Sequence, residues 1–206
     1  MVGGHGKAKL ILASKSTGRV DLLAQIGIKP DLTLAADVDE SPVRDELAGP
    51  LAKRLAVAKA QDIAARYSGS WVLGGDTVVS LGRRILGKPD DKASARLFLE
   101  LLSGRRHSVF GGVAVLSPSG KIAVRLVKTS VVFKRLEKNE IADYLQFGEW
   151  KGKAGGYAIQ GRAGSFVRQL SGSYFNVVGL PLYETVSLLK GLGFAMPRPS
   201  GNATNG

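Results

Sequence analysis

Short apolar runs alternate along the chain with longer segments whose apolar residues recur at helical spacing. The first run, residues 9–13, predicts a buried strand, and residues 19–26 predict a helix because their apolar side chains share one face. Between them lies a polar turn, residues 14–18, rich in hydroxyl groups. A helix N-terminus presents unpaired backbone N–H groups, so this strand, turn and helix together favour the binding of an anion.

The same patterns predict the remaining elements of the fold. Further helices are expected at residues 51–67, from a cap at 90–91 to 102, at 137–147 and at 182–192. Further strands are expected at 71–80, 109–116, 121–134 and 165–170, with an interruption at Gly74–Thr77 and a glycine-rich loop at 152–164. The irregular alternation predicts an α/β fold with a mixed sheet and flanking helices, rather than a doubly wound parallel sheet.

Composition narrows the class of protein without identifying it. A chain of 206 residues predicts a single domain, 1–206, ordered over about 8–194 with a disordered tail at 195–206. Because there are no cysteines, disulfides, thiolate metal sites and cysteine nucleophiles are excluded. We expect no membrane-spanning helix and no signal peptide. The net charge of +12 favours a polyanionic partner, for which a nucleic acid, an anionic membrane surface and a nucleoside polyphosphate all qualify, but a basic surface also serves solubility alone.

Asp76 is the most informative single residue. It lies within an apolar strand pattern, directly after Gly74-Gly75. A buried carboxylate is costly unless a metal or hydrogen bonds satisfy it, and the glycines allow a ligand or backbone to come close. A strand-end aspartate that accepts turn hydrogen bonds is the alternative.

Several polar groups could hold phosphate. Ser14, Ser16 and Arg19 occupy the first turn, where two hydroxyls and a guanidinium suit a phosphate, although Ser16 is also an ordinary capping residue. The segment 82–89 resembles a P-loop but ends in Pro89, which has neither the hydroxyl nor the N–H required. We therefore reject a P-loop enzyme, while Lys88 remains a candidate phosphate ligand or else a surface lysine.

Three further positions complete the candidate set. Glu40 ends an acidic stretch that could hold Mg²⁺ or Mn²⁺ through carboxylate oxygens, or could simply be a solvated loop. Lys59 lies among small residues of a predicted helix, where it could reach a cleft or face solvent. Gln160 ends a glycine-rich stretch and could read a base edge. His107 follows two arginines in a predicted turn, and metal-ligand spacing is lacking.

Eight motifs occur in an order that is far more specific than any one of them. They are Leu12-Ala13-Ser14-x-Ser16-x-x-Arg19, Asp39-Glu40, Leu55-Ala56-x-x-Lys59-Ala60, Gly75-Asp76-Thr77-Val78-Val79, Ile85-Leu86-Gly87-Lys88-Pro89, Leu102-Ser103-Gly104, Lys153-Ala154-Gly155-x-Tyr157-x-Ile159-Gln160-Gly161 and the stretch from Gly172 to Thr185. Over about residues 8–194 the chain thereby resembles the Maf (septum formation inhibitor-like) family of nucleoside triphosphate pyrophosphatases.

The resemblance implies a reaction, a fold and a cofactor. It implies hydrolysis of the α–β phosphoanhydride of a nucleoside triphosphate, a divalent cation (Mg²⁺ or Mn²⁺), a cytoplasmic location, often a homodimer, and an inosine triphosphatase-like fold with a central cleft. Asp76 matches the catalytic proton acceptor, and Asp76 and Glu40 would serve the metal. Positions that match the triphosphate ligands are Ser14, Arg19, Lys59 and Lys88.

Substrate choice is the finer expectation. Thr77 and Gln160 look like the residues of the subgroup that acts on dTTP and UTP. The alternative substrate is 7-methyl-GTP or another noncanonical nucleotide. A regulatory, nucleic-acid-binding protein linked to septation is the alternative function. The family's turn usually reads Ser-Pro-Arg-Arg, whereas here Gly18 replaces the first arginine. We expect that replacement to loosen selectivity.

Overall fold

A mixed sheet of seven strands runs through the middle of the protein. The computed structural model describes residues 8–197, and the strand order is β2-β1-β3-β5-β6-β7, with β4 paired to β3. The strands are β1 (Leu10–Ala13), β2 (Leu32–Thr33), β3 (Trp71–Leu81), β4 (Arg84–Leu86), β5 (Arg106–Leu116), β6 (Ile122–Phe133) and β7 (Val167–Ser171). β1 is parallel to β2 and β3, and the other pairings are antiparallel. The predicted mixed sheet is confirmed.

Helices pack on both faces of this sheet. They are α1 (Thr17–Gln25), α2 (Ala48–Arg66), α3 (Lys92–Leu102), α4 (Lys138–Phe147), α5 (Tyr174–Val178) and α6 (Leu182–Gly191). Alternate residues of each strand point to opposite faces. Val72 of β3 accordingly packs with α2, while its neighbour Leu73 packs with α1 and α6. α3 and α4 cover the same side as α6, towards the other end of the sheet.

Two glycines let α2 lie almost flush against the sheet. A Cβ atom at Gly74 of β3 would overlap the carbonyl oxygen of Ala56, and one at Gly112 of β5 would overlap that of Ala52. Larger residues would push the helix outward, because protein interiors have no spare volume. The close approach carries the side chains on this face of α2 towards the middle of β3.

The structure corrects several local expectations. β3 is continuous through Gly74–Thr77, so the predicted interruption is wrong. The buried charge at its centre is compensated by a side chain from α2, as described below. His107 belongs to β5 rather than to a turn, and two short 3₁₀ helices, Ala154–Gly156 and Arg162–Phe166, occupy the predicted glycine-rich loop. Strands β2 and β4 and helix α5, which have two, three and five residues, were not predicted.

The sequence also predicts a disordered C-terminal tail and no membrane-spanning helix. Most of the predicted disordered tail, residues 198–206, lies outside the described residues. Within residues 8–197, none of the helices combines the length and the apolar character needed to span a bilayer.

Candidate active site

A polar cleft of about 450 Å³ opens beside the ends of β1 and the middle of β3. Eight of the nine predicted site residues line it, namely Ser14, Ser16, Arg19, Glu40, Lys59, Asp76, Thr77 and Lys88. The ninth, Gln160, lines an adjoining cavity of about 90 Å³. Residues that are far apart in sequence are thus gathered around one space large enough for a small ligand.

A lysine held between two carboxylates forms the centre of this cleft. The Nζ atom of Lys59 lies 2.6 Å from Oδ1 of Asp76 and 2.6 Å from Oε1 of Glu40. Asp76 and Lys59 are each only 7% exposed. Of the two positions considered for Lys59, the cleft is the one it occupies, because the close packing of α2 directs its side chain into the protein. The ion pair also explains how a charged residue sits within an apolar strand.

Glu40 links the buried pair to the exposed rim of the cleft. Its Oε2 atom accepts a 3.4 Å hydrogen bond from Nζ of Lys88, whose side chain is largely exposed. Partial burial raises the pKa of the Glu40 carboxyl, but the hydrogen bonds and positive charges of Lys59 and Lys88 outweigh it and lower that pKa overall. Glu40 is therefore ionised at neutral pH. Its acidic neighbours Asp37 and Asp39 are exposed and do not line the cleft.

Arg19 is buried, and its guanidinium group holds other side chains of the cleft in place. Its guanidinium donates to the carbonyl oxygen of Gly179 at 2.8 Å, to Oγ of Ser14 at 2.8 Å and to Oγ1 of Thr77 at 3.2 Å. Burial lowers the pKa of Arg19, and the negative charges of Asp76 and Glu40 oppose that shift. Guanidinium groups stay protonated in proteins. Much of the hydrogen-bonding capacity of Arg19 is thus used to orient Ser14 and Thr77.

Ser16 occupies the predicted turn without serving as a side-chain cap. It is the N-cap residue of α1, yet within residues 8–197 its hydroxyl makes no capping hydrogen bond. Its backbone N–H donates to Oγ of Ser14 at 3.1 Å. Ser16 lines both cavities. It is therefore placed to contact a ligand rather than to finish the helix.

Asp76 and Glu40 are the carboxylates of the cleft that would serve as ligands if a divalent cation bound there. Among residues 8–197, no group of three or more His, Cys, Asp or Glu side chains is close enough to form a metal cage. Asp76 and Glu40 lie close together, because an oxygen of each contacts the same Nζ atom of Lys59. Mg²⁺ is commonly bound by one or two carboxylates together with substrate phosphates and water. These residues match that donor set.

The smaller cavity continues from the cleft towards Gln160. The two spaces share five lining residues among those that the structure describes, namely Ser16, Arg19, Thr77, Gly152 and Lys153. Lys153 lies within one of the eight ordered motifs, but the sequence analysis does not predict it as a site residue. A signal was available, because Lys153 is a cation in the same glycine-rich segment that carries Gln160.

A buried hydrogen bond supports the segment that carries Gln160. Nε2 of His107 lies 2.8 Å from the hydroxyl of Tyr157, which lines the smaller cavity. Both residues are buried. Burial lowers the pKa of His107 to about 4, so its ring is neutral at physiological pH. The pattern of apolar and polar positions gave no sign of this pair.

Comparison with known proteins identifies the family. A family model described as Maf-like protein matches residues 9–192. The chain belongs to this family. A Maf-like relative from Rhodospirillum rubrum, named dTTP/UTP pyrophosphatase, is 58% identical over 185 residues, which cover 90% of this chain and 88% of the relative. Another of that name, from Paramagnetospirillum magneticum, is 57% identical over 188 residues, covering 91% of this chain and 99% of the relative.

Similarity to solved structures is much weaker. A HAM1 protein from Coxiella burnetii shares 16% sequence identity and a TM-score of 0.44, with 64% of this chain and 76% of that chain covered. A likeness this remote does not inform the site, so the chemistry has to be derived from the cleft of this Maf-like protein itself.

Proposed function

We propose that this protein hydrolyses dTTP and UTP, and modified pyrimidine nucleotides of the same kind, to the nucleoside monophosphate and pyrophosphate. The observation that carries the proposal is the buried Asp76–Lys59 ion pair, which the half-exposed Glu40 joins at the centre of a cation-lined cleft. Relatives more than 50% identical over about nine-tenths of the chain are named dTTP/UTP pyrophosphatase, which supports the same substrate class.

Binding the triphosphate is the first task of the cleft. Lys59 and Lys88 supply positive charge beside Glu40, and the hydroxyls of Ser14 and Ser16 supply hydrogen bonds at the start of α1. Hydrolysis of a phosphoanhydride depends mainly on positioning the phosphates and neutralising their charge. These lysines and serines meet both requirements.

Asp76 is the proposed proton acceptor. Lys59 occupies its Oδ1 atom, so Oδ2 is the oxygen that can face a water molecule in the cleft. As the water oxygen attacks the α-phosphorus, Asp76 takes a proton from it, and the bond to the oxygen bridging the α- and β-phosphates breaks. The products are the nucleoside monophosphate and pyrophosphate, and the proton on Asp76 returns to solvent. General base catalysis of this kind contributes about 10²–10⁴-fold to a rate.

A divalent cation, Mg²⁺ or Mn²⁺, is part of this proposal. Asp76 and Glu40 would hold it together with substrate phosphate oxygens. When bound, it would neutralise phosphate charge and help to align the anhydride. Lys59 keeps the two carboxylates together before any cation arrives.

Selection of the base is assigned to the smaller cavity. The Gln160 side chain offers one donor group and one acceptor, which match the polar edge of a pyrimidine. Thr77 is held by Arg19 at the junction between the two cavities. A cavity of about 90 Å³ favours the smaller bases. A homodimer and a cytoplasmic location also belong to this proposal, and both are carried over from the family resemblance.

The decisive experiment is pyrophosphate release across a nucleotide panel. The panel includes dTTP, UTP, dCTP, 7-methyl-GTP and ITP, each tested with Mg²⁺, with Mn²⁺ and with chelator. We expect dTTP and UTP to be hydrolysed best, only with metal, and Asp76→Asn to be slower by about 10²-fold or more. A preference for 7-methyl-GTP or ITP would overturn the substrate assignment. Tight DNA binding without any turnover would instead favour the regulatory alternative.

A further inference from the structure

The cationic side chains that line the cleft differ in how many protein groups they already contact. Among residues 8–197, five cationic side chains line it, namely Lys15, Arg19, Lys59, Lys88 and Lys153. Arg19 donates to three protein oxygens, Lys59 contacts two carboxylates, and Lys88 contacts Glu40. Within residues 8–197, Lys15 and Lys153 form neither an ion pair nor a side-chain hydrogen bond. Much of the cleft's visible positive charge is therefore balanced before substrate arrives.

Lys153 differs from Lys15 in its position. Lys15 is exposed and lines the larger cavity, whereas Lys153 is half-buried and lines both cavities. Lys153 thus lies where the polyphosphate space meets the base space. Of the residues that the structure describes, Arg19 is the other cation at this junction, and its donors already hold Ser14, Thr77 and Gly179.

The backbone around Lys153 is anchored on both sides. Its N–H donates to the carbonyl oxygen of Trp150 at 3.2 Å, and its carbonyl accepts from Gly156 at 3.0 Å. The N–H of Gly155 donates to the carbonyl oxygen of Gly87 at 2.9 Å, which ties this segment to the turn that carries Lys88. An anchored backbone reduces the entropy lost when the side chain binds a ligand.

We propose that Lys153 is a substrate-binding residue that contacts the phosphate attached to the nucleoside, the α-phosphate, and so joins phosphate recognition to base recognition. This inference rests on the proposed function for the identity of the ligand. In a bound nucleotide, the α-phosphate lies between the base and the terminal phosphates. Lys153 occupies the corresponding junction between the two cavities.

Product binding tests this assignment directly, without turnover. Isothermal titration calorimetry with Mg²⁺ present measures the affinity for UMP, which carries the α-phosphate, and for pyrophosphate, which lacks it. The variants are Lys153→Gln, Lys153→Arg and the control Lys151→Gln, which removes an exposed lysine that does not line either cavity. A thermal melt of each variant checks that it folds.

The two ligands should respond differently. We expect Lys153→Gln to weaken UMP binding by about tenfold and pyrophosphate binding by less than about twofold, since a charged hydrogen bond is lost for UMP alone. Lys153→Arg should retain most of the UMP affinity, and Lys151→Gln all of it. Unchanged UMP binding in a folded Lys153→Gln variant, or an equal loss for both ligands, overturns the inference.

The proposed function can fail separately. If the unaltered protein binds UMP but releases no pyrophosphate from UTP, the proposed hydrolysis is wrong, and the UMP titrations still decide the role of Lys153. If the unaltered protein binds no UMP at all, the inference about Lys153 is overturned, and the pyrophosphate-release panel alone decides the proposed function.

Discussion

Lys59 and Asp76 form a buried ion pair across the interface between α2 and β3, with 2.6 Å between Nζ and Oδ1. The same Nζ atom contacts Glu40 from the loop that precedes α2. One lysine thereby fixes the relative positions of two carboxylates that belong to different parts of the chain. Breaking a buried pair by removing one partner costs about 3–5 kcal/mol, because the other charge is left uncompensated.

Replacement of Lys59 by methionine tests this role. Lys59→Met should lower the free energy of unfolding by about 3 kcal/mol and abolish pyrophosphate release, because Asp76 is left buried without its counter-charge. Denaturant unfolding measures the first effect. Lys53→Met, at an exposed position of the same helix, should change stability by less than about 0.5 kcal/mol.

A double variant separates the ion pair from simple loss of packing. Adding Asp76→Asn to Lys59→Met removes the uncompensated charge, so it should recover about 1 kcal/mol or more of stability while activity stays absent. Strictly additive losses in the double variant would show that the two charges do not stabilise each other.

The glycine at position 74 should be as important for the site as a charged residue. In Gly74→Ala, the new methyl group would overlap the carbonyl oxygen of Ala56 and push α2 away from β3. We expect a loss of about 2–3 kcal/mol in the free energy of unfolding, as for an overpacked core, together with weaker catalysis because Lys59 moves with the helix. A Gly191→Ala variant is the matched control, since nothing lies within 4 Å of its new Cβ atom.

Periodicity located the longer elements but could not place the side chains that cross between them. Asp76 was recognised because a carboxylate inside an apolar strand pattern is unusual. The same reasoning predicted an interruption of β3 here. The compensating charge of Lys59 comes from α2, so the residues next to Asp76 in sequence do not reveal it. Glu40 lies in a long irregular loop, where the spacing of residues does not predict which way a side chain points. The ordered motifs supplied what periodicity lacked.

The junction near Gly18 can be probed by restoring the residue that the family usually has there. A Cβ atom at Gly18 would come no closer than 3.7 Å to its neighbours, among them Nε2 of Gln160 at 3.8 Å, so an arginine can be accommodated at its root. Gly18→Arg should sharpen the preference for dTTP and UTP over other nucleotides by about tenfold, because a guanidinium adds charged hydrogen bonds. The ratios of kcat/KM measure this preference.

Gly18→Ala controls for the backbone effect of the same replacement. Alanine stabilises a helix by about 1 kcal/mol relative to glycine without adding charge. It should therefore raise stability slightly and leave the substrate preference unchanged. If Gly18→Ala and Gly18→Arg have the same substrate preference as the original chain, Gly18 has no part in selectivity.

The buried His107–Tyr157 pair predicts a specific pH dependence of stability. Burial lowers the pKa of His107 to about 4 in the folded protein, below its value of about 6.5 in an unfolded chain. Between these two values the unfolded state binds more protons, so stability must fall as the pH falls. From about pH 7.5 to pH 5 this one residue should account for roughly 2 kcal/mol.

His107→Gln removes the titrating group while keeping a hydrogen-bonding partner for the Tyr157 hydroxyl. Urea unfolding of both proteins at pH 7.5 and pH 5 isolates the effect, since every other titrating group is common to them and cancels in the difference. The variant should be less stable at pH 7.5, because the His107 ring also packs edge-on against Phe133. The gap should narrow by roughly 2 kcal/mol at pH 5. If the difference in the free energy of unfolding between the two proteins is equal at both pH values, His107 has the same pKa in the folded and unfolded chains. Its burial then does not lower its pKa.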